Sequence, residues 1–97
     1  MSSMRAAKLE VELMLHGCRS LKDKRQRLSR LRDRFGRQST VAVCESAHQD
    51  SHQLGHWTFV ACGTSPQVIE QSLTDIERYV ALSLDAEVIG MQRTWLS

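Results

Sequence analysis

From Lys8 to His16 the chain alternates: Leu9, Val11, Leu13 and Leu15 point one way, and Lys8, Glu10, Glu12, Met14 and His16 the other. A period of two marks a half-buried strand, and Gly17 breaks it. Ser20 then opens a helix, with Asp23 three residues on in a capping-box-like relation. Leu21, Leu28, Leu31 and Phe35 fall on one helical stripe, and Gly36 stands where a C-terminal cap belongs. Val41 to Glu45 predicts a short second strand, followed by a polar, irregular segment from Ser46 to Gln53. Leu54 to Gly63 predicts a third strand that is apolar on both faces, because Trp57, Phe59 and Ala61 alternate with Val60 and Cys62. Thr64-Ser65-Pro66-Gln67 starts a second helix, with proline in the first turn and a stripe of Ile69, Leu73, Ile76 and Val80. A last strand is expected around Val88 to Trp95.

The order β-α-β-β-α-β, with right-handed crossovers, favours a four-stranded antiparallel sheet carrying both helices on one face. This is the ferredoxin-like α+β sandwich. A chain of 97 residues makes one such domain, with a core that needs no staples. Residues 1–7 read as a flexible N-terminal segment. The fold hosts many unrelated functions and decides none of them.

Charge changes the picture. Nine of the 13 basic residues lie between Arg19 and Arg37, opposed only by Asp23 and Asp33. That stretch carries about +7 and the remainder about −5, so the formal total of +2 conceals a polar division of the chain. Arginine matches phosphate through its two-pronged fork, and a basic stripe on a small domain is the footprint of a nucleic-acid contact. The phosphate ligands expected are Lys22, Lys24, Arg25, Arg27 and Arg30. Arg32, Arg34 and Arg37 rank second, because cations near a helix C-terminus also serve its dipole. The bland alternative is a solvated face. Lys24 is unusual: helical spacing puts it inside the apolar stripe, in the first turn, where the dipole disfavours a cation. It either snorkels to water or finds an anion, with Glu45 and Asp50 as candidates.

Several chemistries find little support. Cys44, His48, His52 and His56 recur every four residues and would share a face only on a continuous helix, which Gly55 and the strand pattern argue against. His48-Gln49-Asp50 reads better as a loop organised by its own side chains, with Asp50 as a turn acceptor. Together with Glu45 these residues form the candidate loop-organising set. A hydrolase using His48 and Asp50 lacks a nucleophile elbow, a Gly-rich phosphate loop or paired metal ligands. No enzyme, cofactor or metal is expected. An RNA-recognition sheet of the aromatic type is disfavoured by Glu10 and Glu12 on the first strand. Three cysteines outside any CxxC pair read as reduced thiols, and no signal peptide or membrane span is present, so a cytoplasmic setting is expected. The second face of the third strand predicts a homodimer through the sheet, burying Trp57 and Phe59 or else Val60 and Cys62.

These residues also carry a resemblance. Ser20-Leu21-Lys22-Asp23-Lys24-Arg25, then Val41-Ala42-Val43-Cys44-Glu45 with His48-Gln49-Asp50 and Gln53, and finally Arg93-Thr94-Trp95-Leu96, resemble the signature segments of small bacterial YlxP-like proteins. The chain departs from them at His52, where an aromatic residue is common. The resemblance implies a ferredoxin-like fold. It also implies, by gene neighbourhood with translation initiation factor two and ribosome-binding factor A, a link to structured RNA or the ribosome. It implies no catalytic activity.

Overall fold

The computed structural model describes residues 3–97. Its elements are β1 (Arg5–Met14), α1 (Leu21–Phe35), β2 (Val41–Ala47), β3 (Leu54–Gly63), α2 (Pro66–Ser83) and β4 (Glu87–Trp95). The strands form one antiparallel sheet in the order β2-β3-β1-β4. Both helices cover the same face, which makes this the ferredoxin-like sandwich expected from the order of elements. α1 lies against β2, and α2 lies across β3, β1 and β4.

The alternation in β1 translates directly into two faces. Ala7, Leu9, Val11 and Leu13 are buried under the helices, while Lys8, Glu10 and Glu12 stand on the open face. Register settles what the pattern of β3 left open. Trp57 pairs with Val11 and Phe59 with Leu9, so the two aromatic rings turn toward the helices with Ala61. Val60 and Cys62 therefore lie half-buried on the open face beside Lys8.

Two expectations need correction. Residues 5–7 are not a flexible segment: β1 begins at Arg5, and Ala7 is buried against the core, whereas Met1 and Ser2 lie outside the described residues. Alanines fill a tight interior position without announcing it in a hydrophobic pattern. β2 runs on past Glu45 to Ala47 through a register shift. Gly36 is the C-cap of α1, as expected, and it takes that place in a right-handed conformation with φ −67°. The left-handed glycine is Gly17, at φ +71°, where the chain turns from β1 toward α1.

The two helices start differently. Ser20 caps α1, its hydroxyl accepting the backbone N–H of Asp23 at 3.0 Å. Ser65 makes no such bond to α2, which instead begins with Pro66, whose missing N–H is no loss in a first turn. The apolar stripes then meet over the sheet, where Phe35 packs edge-on against Phe59 and against Tyr79 of α2.

Candidate nucleic-acid interface

The basic residues of α1 part into three groups once their surroundings are visible. Lys22, Arg25 and Arg30 are exposed, as are Arg19 before the helix and Arg37 after it. Among the described residues none of these five has a carboxylate partner. Arg32 and Arg34 are also exposed, but their guanidinium groups lie over rings. Arg32 sits 5.5 Å from the centre of the Trp57 ring, and Arg34 sits 4.8 Å from that of Tyr79. The third group is Lys24 and Arg27, which turn inward.

Lys24 is 3 % exposed, so it does not face a phosphate. Its ammonium has three donors, and each finds an acceptor. One meets Glu45 Oε2 at 2.9 Å; the others go to the backbone carbonyls of His48 at 2.8 Å and Ser51 at 2.9 Å. Glu45, one of the two carboxylates anticipated, is thus the partner, and Asp50 is not. The lysine ties the first turn of α1 to the β2–β3 connection. His48 adopts φ +62°, a twist that few non-glycine residues take. Gln49 donates its side-chain amide to the Glu45 carbonyl at 3.2 Å. Among the described residues Asp50 makes no side-chain hydrogen bond, and Ser51 takes the part expected of Asp50, its hydroxyl accepting the Leu54 N–H at 3.1 Å.

Arg27 is likewise committed. It donates to both oxygens of Asp23, one turn back, and to the backbone carbonyl of His16 at 2.8 Å. Asp85 lies 3.6 Å away. Burial works against its charge, but Asp23, with smaller help from Asp85 and Cys18, offsets this and the pKa is raised. Arg27 therefore clasps the β1–α1 turn and leaves the surface set, as Lys24 does.

The open face of the sheet has the opposite character. His56 lies between two carboxylates, 3.2 Å from Glu12 and 3.4 Å from Glu10, and His48 Nε2 stands 3.8 Å from Glu12. His52 sits apart in the loop. No cluster of three or more His, Cys, Asp or Glu side chains fit to hold a metal ion occurs among the described residues. The Glu10 carboxyl is held below its ordinary value of 4.5, by Lys8 first and by His56 next. A carboxylate depressed by folding stabilises the fold above its ordinary value and loses that contribution as pH falls through the lowered one. Wild type and Glu10→Gln are therefore expected to differ in melting temperature above pH 4.5 and to converge below it. A gap that stays constant into acid would deny the link.

A family model described as "Protein of unknown function (DUF503)" matches residues 7–93. The chain belongs to the DUF503 family. That agrees with an uncharacterised small family, the coarser part of what the sequence motifs implied. No curated protein matches this DUF503 chain. Among solved structures it is similar to the de novo designed protein Foldit4, at 14 % identity and a TM-score of 0.57, over 95 % of this chain and 97 % of that one. At such identity the likeness concerns the fold alone. No helix of the described residues is long and apolar enough to cross a membrane.

Proposed function

We propose that this DUF503 protein is a non-catalytic, cytoplasmic accessory factor that docks on structured RNA, most plainly on the ribosome or a ribosomal precursor, through the outer face of α1. The observation that carries this reading is the segregation of charge. Lys22, Arg25 and Arg30 are exposed on the helical layer with no carboxylate partner among the described residues, while Glu10 and Glu12 occupy the opposite face of the sheet. A polyanion is drawn to the first surface and repelled by the second. The contact runs through phosphates and shape, with little sequence preference. The YlxP-like signature around Ser20 to Arg25 supports the ribosomal direction.

The test is a charge reversal confined to unpaired side chains: Lys22→Glu with Arg25→Glu and Arg30→Glu. The variant is expected to keep its circular dichroism spectrum and to lose about 100-fold or more in affinity for ribosomal RNA at moderate salt. Unchanged affinity in the folded variant would remove α1 from the contact.

One observation favours a second reading, a homodimer used as a protein-interaction module. The edge strand β4 and its continuation expose Ile89 (47 %), Met91 (39 %), Trp95 (41 %) and Leu96 (52 %). Apolar side chains along an unpaired strand edge invite another strand. On this reading the dimer forms through the β4 edge, in place of the face with Val60 and Cys62. Light scattering at high micromolar concentration decides it: a monomer there defeats the dimer.

A further inference from the structure

Between α1 and the outer strand β2 lies a cavity of about 300 Å³. That is the small end of the range for ligand pockets, about 300 to 1,000 Å³. Leu21 and Leu28 contribute apolar wall, Trp57 lines it from β3, and Arg25 and Arg32 border it from the exposed flank of α1. Gln49, anchored to the Lys24-bound loop, borders it too.

Two features separate this cavity from a packing gap. The first is Trp57, 5 % exposed, whose indole N–H is the one buried side-chain polar atom without a hydrogen-bond partner among the described residues. Leaving such a group unpaired destabilises the fold. The second is charge. Lys24 and Glu45 on the lining neutralise each other, and Arg25 and Arg32 then outnumber Asp33 by one. Neither arginine has a carboxylate partner among the described residues.

We infer that this cavity takes one unstacked nucleotide, its base against Trp57 and Leu28 and its phosphate on Arg25 and Arg32. The inference rests on the reading of α1 as an RNA-facing helix and gives that helix a pocket. Largely apolar walls call for a flat or apolar body, and two guanidinium groups call for an anion, with phosphate matching their fork. A nucleotide meets both demands, since every base offers a flat π-face and its phosphate supplies the anion. Unpaired RNA bases are free to splay into such a pocket.

The two tryptophans give two indole N–H signals in a nitrogen-15 correlation spectrum, assigned with Trp95→Phe. The protein is titrated with ribonucleoside 5′-monophosphates, with a short single-stranded oligoribonucleotide, and with inorganic phosphate as control. The Trp57 signal is expected to move with both nucleotide probes and not with phosphate, while Trp95 stays in place. Arg25→Ala and Arg32→Ala are each expected to weaken this response about tenfold. If RNA binds in a salt-dependent way and the Trp57 signal does not move with any nucleotide, the cavity is overturned and the α1 contact survives. If the monophosphates move it while RNA fails to bind, the nucleotide pocket stands and the α1 reading falls. No movement and no binding overturns both.

Discussion

Lys24→Met is expected to destabilise the fold by about 3 kcal/mol, read as a lower urea midpoint at unchanged slope. Methionine matches the volume of the lysine stem, so packing in the apolar stripe is kept. What goes is the ammonium, and with it the only partner Glu45 has for Oε2 among the described residues' ion pairs. The carbonyls of His48 and Ser51 lose a charged donor at the same time. Because the Glu45 side chain is 22 % exposed, water recovers part of the loss, and the upper end of the range for breaking a buried pair is not expected. Glu45→Gln keeps an acceptor for the ammonium and is expected to cost about 1 kcal/mol. Loss of the α1-to-loop tie should also show locally, as faster amide exchange across residues 48–53 than in the core strands. A Lys24→Met variant within about 0.5 kcal/mol of wild type would mean that the ammonium is solvated in solution and holds nothing.

Phe35→Ala is expected to be the costliest single change, at about 4 kcal/mol. The ring is 1 % exposed at the C-terminal end of α1. It meets Phe59 at 5.9 Å and Tyr79 at 5.4 Å between centroids, both nearly perpendicular. It therefore joins α1, β3 and α2 at one point, and removing it opens a cavity where the three elements meet. Edge-to-face pairs add about 0.5–1.5 kcal/mol each beyond burial, so Tyr79→Leu should cost about 1 kcal/mol. Thermal and urea unfolding of the two variants check the order. A Phe35→Ala cost no larger than that of Tyr79→Leu would place the helix junction elsewhere.

The architecture was legible because it rests on period. Leu9 to Leu15 announces a strand, and Leu28, Leu31 and Phe35 announce a helix, whatever surrounds them. Both faces of β3 looked alike, and only pairing with β1 shows that Trp57 and Phe59 go inward. The candidate site was legible as a charge and illegible as a surface. A cation's availability depends on what stands next to it in space. Lys24 is removed by Glu45 and by two carbonyls beyond it, and Arg27 by His16 and Asp85 from other elements. The position of Lys24 within the apolar stripe was the one local signal of this, and of the two partners it suggested, Glu45 and Asp50, Glu45 is the one that meets it. Asp50 lost its expected part to its neighbour Ser51, a choice made by loop geometry alone. Nothing local to Trp57 foretells an unpaired indole N–H.

The central claim is that unpaired cations on α1 meet phosphate. Its most direct measurement is the affinity of the purified protein for ribosomal RNA and for ribosomal subunits across a salt series. With Lys22, Arg25 and Arg30 engaged, log K should fall against log salt with a slope of about −2 to −3, and each of these residues replaced by alanine should flatten it by about 1. Replacing Arg27, which is clasped to Asp23 and His16, should leave the slope unchanged in a variant that still folds. A flat salt response, or the absence of binding at moderate salt, would contradict the claim and return α1 to the standing of a solvated face.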